Sequence, residues 1–337
     1  MSEDLVVLRG MVNLVDRRMG ARVLAASDEF FAPKENLLGF GRGKFVEGRY
    51  TSQGKWMDGW ETRRRRDGGE GDWCVIRLGA PAEVWAVDVD TNHFLGNHPP
   101  FMSVEGVELE EDVEDWEGLD WRTLVPVLPL CGGSQNIFLV EKRLVVSHLR
   151  LSIYPDGGVA RLRVYGKPLP PRAGELVDLA SAAYGARGLL CSDMFFSSME
   201  NLLFPSVPEG MWDGWETRRR RDGGEGDWIL VELAAMGRIE EVEVDTRFFR
   251  GNFPQSCLLE GCLGEGRNLL QLQRDELIWR PILPKVELKA DTVHRFVPLK
   301  RDELYRYVRL RIYPDGGLAR LRLWGYVWQC SSEGGEV

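Results

Sequence analysis

The chain has 337 residues, 44% of them hydrophobic, and a formal net charge of −9. This length suits two domains and is too long for one ordinary core. The acidic balance argues against a nucleic acid or an anionic membrane as partner. The first residues are acidic and lack the pattern of a signal peptide, and no apolar run reaches the length of a membrane span. We therefore expect a cytoplasmic protein.

A long repeated segment divides the chain. The string DGWETRRRRDGGEGDW occupies positions 58–73 and recurs unchanged at 213–228. The sequence just downstream has diverged between the copies, so local constraint explains the identity better than a recent duplication does. Shorter matches keep the same order in both halves, which indicates two copies of one fold. We predict one repeat over 1–166 and another over 175–328, joined by the Pro-rich linker 167–174.

Short alternating runs broken by Gly, Pro and Asp predict strands within each repeat. Val87–Asp90 has a period of two. Leu149–Ile153, a Pro-Asp-Gly-Gly turn and Ala160–Tyr165 predict a β-hairpin, and the design recurs over 308–324. One helix is predicted, around Glu175–Tyr184. Many short strands and few helices indicate an all-β fold with an antiparallel sandwich or jelly roll in each repeat.

The repeated block predicts a site rich in arginine and carboxylate. We expect a strand over Trp60–Arg66, with Trp73–Leu78 returning beside it, so that Glu61, Arg63 and Arg65 share one face. Four arginines suggest phosphate, but the block also contains five acids: Asp58, Glu61, Asp67, Glu70 and Asp72. A polyanion groove would not interleave so many carboxylates. A lattice that holds a small anion fits better, because arginine pairs bidentately with carboxylates. A purely structural network of ion pairs is the open alternative.

The glycine-rich loop of this block is a weak candidate for a phosphate cradle. It opens no helix, and its own acids would repel phosphate. The aspartates of the two Pro-Asp-Gly-Gly turns, Asp156 and Asp315, are interpreted as structural, because Asp is common in β-turns for local hydrogen bonding.

A second polar segment follows the alternating strand that ends at Asp90. It covers Asp90–Asn97 and has a counterpart at 245–252, and such loops often carry ligand contacts. His93 aligns with Phe248, so a histidine is available here only in the first repeat. An isolated histidine is usually structural. Serine-hydrolase, zinc-protease and nucleotide-binding motifs do not occur, so the sequence shows no required cofactor. A divalent metal and a homo-oligomer stay open.

The cysteines do not indicate a disulfide framework or a zinc site. They lack C-x-x-C spacing and mirrored positions in the repeats, which favours a reducing compartment. Cys74 and Cys191 align with Ile229 and Ala26, so we expect both to behave as small buried apolar side chains. The six cysteines are Cys74, Cys131, Cys191, Cys257, Cys262 and Cys330.

Several of these segments together resemble the allantoicase (allantoate amidinohydrolase) family. They are DGWETRRRR with GGEGDW, SDEFF, ENLL, DT-x-x-F-x-GN and YPDGG-x-ARLR, and they extend from about Gly20 to Trp324. The resemblance implies a jelly-roll β-sandwich in each repeat. It also implies hydrolysis of allantoate, a small-molecule substrate, to ureidoglycolate and urea in purine breakdown.

With that chemistry, an arginine fork would hold the substrate carboxylate and Glu61 would act as acid or base. The predicted catalytic residues are Glu61, Asp90 and His93. The predicted substrate-binding residues are Arg63, Arg65, Asn97, Glu216, Arg218, Arg220, Asp245 and Asn252. Because Arg247 and Phe248 differ from the first copy, two equivalent sites are in question. Two alternatives stay open: a non-catalytic β-sandwich that binds a small ligand or carbohydrate, and a hydrolase acting on ureidoglycolate.

Overall fold

The computed structural model describes residues 10–66, 68–221, 223–264 and 278–328. The chain divides into two compact units, one ending at Leu169 and one beginning at Pro170. This boundary falls inside the Pro-rich segment 167–174. No α-helix occurs among the described residues, and each unit is built from antiparallel sheet. The prediction of an all-β protein with two tandem β-sandwich repeats is confirmed. Asp67, Asp222 and Cys330 lie outside the described residues.

Within its described residues, the first unit contains twelve strands and two 3-10 turns. These are β1 Val12–Asn13, β2 Arg22–Ala26, β3 Tyr50–Thr51, β4 Gly54–Lys55, β5 Trp60–Glu61, β6 Asp72–Asp90, β7 Phe101–Val107, β8 Arg122–Pro129, β9 Gln135–Leu139, β10 Val145–Tyr154, β11 Gly158–Val159 and β12 Arg161–Pro168, with turns at Arg17–Met19 and Lys34–Leu38. The main sheet has the order β1-β12-β6-β10-β7-β8, and β2 and β9 also pair with β6.

The second unit repeats this arrangement. Its elements are β13 Leu176–Asp178, β14 Arg187–Cys191, β15 Trp215–Glu216, β16 Asp227–Asp245, β17 Ser256–Cys262, β18 Arg280–Glu287, β19 Val293–Phe296, β20 Tyr305–Tyr313, β21 Gly317–Leu318 and β22 Arg320–Val327, with 3-10 turns at Ala182–Tyr184, Met199–Leu203 and Met211–Asp213. The order β13-β22-β16-β20-β17-β18, with β14 and β19 on β16, matches the first unit strand for strand.

One long strand organises each unit. The first part of β6, from Asp72 to Arg77, pairs with β10, and its second part, from Ala82 to Asp90, pairs with β12. Most residues of the paired strands are buried, and side chains such as Ile76, Val87 and Leu151 build one mainly aliphatic core. Strand β6 therefore ends at Asp90 at the edge of this core, where the predicted polar segment begins.

The predicted β-hairpin of residues 149–165 is wrong in its pairing. Both runs are strands, but β10 lies between β6 and β7, whereas β12 lies between β1 and β6. The turn 155–158 therefore carries the chain from a partner of the first half of β6 to a partner of its second half. The sequence does not distinguish the two topologies, because both need the same turn residues and the same alternation.

The predicted helix at Glu175–Tyr184 is also wrong. Leu176–Asp178 is a strand that pairs with β22. The Asp178 carboxylate accepts hydrogen bonds from the backbone N–H groups of Ala180 and Leu323 at 3.1 and 2.8 Å. Such side-chain bonds compete with helical ones. Only the 3-10 turn Ala182–Tyr184 follows, capped by Ser181.

The cysteines in the described part of the chain are all free thiols. Cys74 is buried, as predicted, and Cys191 is partly buried. Burial raises the pKa of Cys191 to about 11, so its thiol stays protonated near neutral pH. No helix among the described residues is long and apolar enough to cross a membrane.

Candidate active site

A buried tryptophan anchors the start of the duplicated block in each unit. Trp60 and Trp215 are both fully buried. Their indole N–H groups donate to the backbone carbonyls of Asp28 at 2.7 Å and Asp193 at 2.8 Å. Buried indoles usually find such a partner. This contact ties the block to the segment that precedes it in each repeat, SDEFF at 27–31 and SDMFF at 192–196.

The Pro-Asp-Gly-Gly turn holds the chain that leaves this tryptophan. Strand β5 pairs with β11, directly after the turn. Thr62 N donates to the Gly157 carbonyl at 3.1 Å, and Arg65 N donates to the Asp156 carboxylate at 2.7 Å. In the second unit Arg220 N donates to Asp315 at 2.8 Å. Each aspartate therefore binds a backbone group distant in sequence rather than only its own turn.

The strand predicted over Trp60–Arg66 is therefore wrong beyond Glu61. Its predicted neighbour, Trp73–Leu78, pairs with β10 instead. The single face expected for Glu61, Arg63 and Arg65 does not form, because side chains and the turn, rather than a sheet ladder, satisfy the backbone after Glu61.

The first acid of the block serves the scaffold. Asp58 pairs with Arg161 at 2.7 Å, and Asp213 pairs with Arg320 at 2.8 Å. Both side chains of the second pair are completely buried. These arginines come from the ARLR segment that follows each turn. Removing one partner of such a buried pair leaves an uncompensated charge. The first acid of the block and the arginine after the turn are therefore constrained together.

The first and third arginines of each run are also paired with carboxylates. Arg63 Nε lies 2.8 Å from Asp28, and its counterpart Arg218 lies 2.9 Å from Asp193. The guanidinium beside Asp28 holds the pKa of that carboxyl below its usual value, although burial acts in the opposite direction. These two predicted substrate-binding arginines therefore already have a partner.

Arg65 and Arg220 make the corresponding contacts with the glycine-rich loop. Arg65 lies 3.5 Å from Asp72 and donates to the Gly71 carbonyl at 2.8 Å. Arg220 lies 3.0 Å from Asp227, which is buried. The loop thus binds arginine through carbonyl and carboxylate oxygens, in keeping with its weak resemblance to a phosphate cradle.

The second and fourth arginines behave differently. Arg64, Arg66, Arg219 and Arg221 are all exposed. None of these four forms an ion pair or a side-chain hydrogen bond within the part of the chain that the structure describes. Sequence reasoning missed them because it assigned a strand here. The signal that could have found them is the aspartate shared by the SDEFF and SDMFF segments, Asp28 and Asp193, which provides a partner for the first arginine of each run.

Glu61 and Asn97 are brought together in the first unit. The Asn97 amide donates to Glu61 at 2.7 Å, and Asn252 donates to Glu216 at 2.6 Å. Burial raises the pKa of the partly buried Glu61 above its ordinary value, whereas the Asn97 hydrogen bond lowers it. A raised carboxyl pKa suits a group that must both take up and return a proton.

The backbone of each asparagine is fixed by the same turn motif. The Asn97 carbonyl accepts from Gly158 N at 2.8 Å, and Asn252 accepts from Gly317 N at 2.8 Å. A Cβ added at Gly317 would lie 1.9 Å from a carbon of the buried Phe249 ring. Glycine is therefore required where the turn approaches this loop.

Asp90 and His93 have other surroundings. Asp90 is buried and accepts two hydrogen bonds from Arg42, at 2.9 and 2.8 Å. His93 is exposed, has a positive φ of 69°, and its ring centroid lies 5.8 Å from that of Phe45. No contact joins either residue to Glu61 among the described residues. Their catalytic roles stay predictions, and Arg42 is a partner that sequence reasoning did not include.

Asp245 is the counterpart of Asp90 and is equally buried. Arg247 pairs with it at 2.6 Å, so Arg247 neutralises this aspartate as Arg42 neutralises Asp90 in the first unit. The difference between Asn92 and Arg247 thus changes the source of the cation and not its presence. Asp245 therefore has an ion-pair partner already and lines neither of the clefts described below.

A cleft of about 750 Å³ collects several predicted residues in the second unit. Glu216, Arg218 and Asn252 line it together with Arg219 and Arg221. Arg220 lies instead on a second cleft of about 750 Å³, beside Asp227. Volumes of this size accommodate small molecules. In the described part of the chain, no three His, Cys, Asp or Glu side chains lie close enough together to hold a metal ion.

Known proteins match both the repeat and nearly the whole length of this chain. The family model of the allantoicase repeat matches residues 12–169 and 177–328. A probable allantoicase from Pseudomonas aeruginosa (strain UCBPP-PA14) is 45% identical over 94% of this chain and 96% of its own length. Probable allantoicase 2 from Burkholderia pseudomallei is also 45% identical, over 94% of this chain and 95% of its own length.

The solved structures agree with this match. A crystal structure of allantoicase from Saccharomyces cerevisiae has a TM-score of 0.79 and 34% identity, covering 97% of this chain and 99% of the yeast chain. Two repeats, near-complete coverage and the shared fold lead to one conclusion. The chain belongs to the allantoicase family.

Proposed function

We propose that this protein hydrolyses allantoate to ureidoglycolate and urea in purine degradation. The observation that carries the proposal is the cleft of the second unit, where Glu216, bound by Asn252, lies with Arg219 and Arg221, which have no ion pair among the described residues. The same Glu–Asn pair occurs in both repeats of a chain that belongs to the allantoicase family. Allantoate has one carboxylate and two ureido groups on a single carbon, so it offers an anion together with several N–H donors.

The reaction breaks one bond between the central carbon and a ureido nitrogen. Water supplies the hydroxyl group of ureidoglycolate and one proton to the departing urea, so the atoms balance. A general base is needed for water or for the N–H of the retained ureido group, and a general acid for the leaving nitrogen. One carboxylate can perform both steps if it takes up the proton and then returns it.

We assign this role to Glu61 in the first unit and to Glu216 in the second. Each has one oxygen bound by an asparagine amide, so the carboxylate is oriented. Support for Glu61 also comes from burial, which raises its pKa. Asp90 and His93 remain predicted catalytic residues of the first unit. A cytoplasmic location and a reaction that requires no cofactor belong to the same proposal.

Urea release from allantoate by the purified full-length chain tests the function. We expect turnover, and we expect the double variant Glu61→Gln/Glu216→Gln to lose about 100- to 10,000-fold of it, the usual contribution of general acid–base catalysis. Glu240→Gln is the matched control, because Glu240 is a partly exposed partner of Arg301 and lines neither cleft. Running the assay with EDTA and with added divalent metals tests the cofactor expectation.

Two outcomes would contradict the proposal. Failure to release urea under every metal condition, with allantoate still bound, would favour a non-catalytic binding protein. Faster release from ureidoglycolate than from allantoate would favour the related hydrolase.

A further inference from the structure

We propose that the second and fourth arginines of each run form a subsite for the carboxylate of a ureido acid. These are Arg64 and Arg66 in the first unit and Arg219 and Arg221 in the second. The first and third arginines hold the scaffold. This proposal rests on the proposed function and names the residues that recognise the anionic part of its substrate.

The arginines of each run differ in whether they have partners. Arg218 is fixed to Asp193 at 2.9 Å, and Arg220 is fixed to Asp227 at 3.0 Å. Asp315 is engaged by the backbone N–H of Arg220. Arg219 and Arg221 are exposed and have no ion pair among the described residues. Two cations of the run are therefore available for a ligand, while their neighbours are committed.

The arginines of the second run also differ in their position relative to the cleft. Arg219 and Arg221 line the cleft that contains Glu216 and Asn252, whereas Arg220 does not. Like charges held side by side repel one another, and a bound anion relieves that repulsion. Arginine suits the task because its planar fork donates two parallel hydrogen bonds to a carboxylate and its charge does not titrate.

The acidic residues of the cleft lining also limit which anion can bind there. Glu216 and Glu287 also line this cleft, so a phosphate or another multiply charged anion would meet carboxylates there. A molecule with a single carboxylate and several N–H donors satisfies both halves of the lining. Its carboxylate binds the arginines, and its ureido N–H groups donate to the glutamate. The cleft therefore selects ureido monocarboxylates over phosphorylated ligands.

The first unit contains the corresponding arginines. The block is identical in the two copies, and Arg63 pairs with Asp28 as Arg218 pairs with Asp193. Arg64 and Arg66 are likewise exposed and lack ion pairs in the described part of the chain. Both subsites must be altered together, because either one alone would continue to bind the probe.

Isothermal titration calorimetry on the full-length chain tests the subsite without turnover. The probes are N-carbamoylglycine, which has one carboxylate and one ureido group, and its neutral amide. The test variant is Arg64→Gln/Arg66→Gln/Arg219→Gln/Arg221→Gln. The comparison variant is Arg63→Gln/Arg218→Gln, and Arg301→Gln controls for the loss of an exposed positive charge outside both clefts. Circular dichroism and the melting temperature establish that each variant is folded.

We expect the test variant to bind N-carbamoylglycine about 10- to 100-fold more weakly, because hydrogen bonds to a charged group are lost. Its affinity for the neutral amide should stay within about twofold of wild type, since no carboxylate is involved. The comparison variant should lose less affinity for the acid. The proposal is overturned if the wild type binds acid and amide equally, or if the comparison variant loses more affinity for the acid than the test variant does.

The two proposals fail in different ways. Binding of N-carbamoylglycine that depends on the second and fourth arginines, without urea release from allantoate, would refute the function and keep the subsite. Urea release with acid binding unchanged in the test variant would refute the subsite and keep the function.

Discussion

Adjacent side chains in the arginine run have different surroundings. Arg63 and Arg65 are bound by Asp28 and Asp72, while Arg64 and Arg66 are exposed. Identity of all four between the repeats therefore reflects two constraints, one from ion pairing in the scaffold and one, on our proposal, from the ligand. The neighbouring Glu61 also differs from an ordinary surface glutamate, because burial raises its pKa.

The pKa of Glu61 predicts the acid limb of the pH profile. In a Glu216→Gln background only the first unit turns over, and Glu61 must be ionised to act as a base. Activity should therefore be present above its pKa and fall as the pH drops through that value, which lies above the ordinary value for glutamate. Asn97→Ala removes the hydrogen bond that lowers this pKa, so the acid limb of the kcat/KM profile should move to a higher pH.

Asn252→Ala in the same background is the matched control, because Asn252 serves the silenced second unit. A limb that stays in place after Asn97→Ala would show that Glu61 is not the titrating base.

At the scale of elements, the turn motif and the duplicated block hold each other in place. The turn supplies backbone partners for Thr62, an aspartate for Arg65 N and glycines that allow close approach to the asparagine loop. The strand after it supplies Arg161, which pairs with Asp58. Changes in this scaffold should therefore reduce stability before they alter chemistry.

Asp213→Asn tests that expectation. It removes the carboxylate beside Arg320, and both side chains of this pair are completely buried. We expect the free energy of unfolding of the second unit to fall by about 3–5 kcal/mol, because a buried guanidinium loses its counter-charge. Glu240→Gln breaks a partly exposed pair with Arg301 and should cost about 0–1 kcal/mol. Chemical denaturation of the full-length variants measures both, and similar losses would contradict the scaffold role.

Sequence patterns predicted the elements better than their partners. The alternation of apolar and polar residues over Val87–Asp90 correctly indicated a strand, because this sequence pattern is a local property, although all four side chains are buried. The pairing of β10 with β12 was predicted wrongly, because the residues of the turn 155–158 suit a hairpin and a crossover equally well. Likewise, sequence patterns identified Glu61 as a candidate site residue. They did not show that Arg63, rather than Arg64, is paired in the scaffold, because that depends on Asp28, which only the fold places nearby.

At the scale of the whole molecule, the chain contains the same Glu–Asn pair twice. The surroundings are not identical, since Arg42 and Arg247 reach their aspartates from different places in the sequence. Both copies nevertheless keep the tryptophan anchor, the paired arginines and the exposed arginines. We therefore expect both units to be active.

Single variants test this expectation. Glu61→Gln and Glu216→Gln should each leave about half of the wild-type turnover, because independent sites contribute additively. Steady-state urea release at saturating allantoate gives the comparison. If one of the two variants loses nearly all turnover and the other none, only one unit is catalytic.

The pairing of each block with the last strands of its unit also dictates when a site can exist. Asp58 and Arg161 are 103 residues apart in the chain, and Arg65 and Asp156 are 91 apart. Closing such long loops is entropically costly and slows folding. During synthesis, each proposed site therefore stays unassembled until the C-terminal strands of its own unit have left the ribosome. A chain released before Arg161 would contain Glu61, Asn97 and all four arginines of the first run, yet lack the contacts that assemble them.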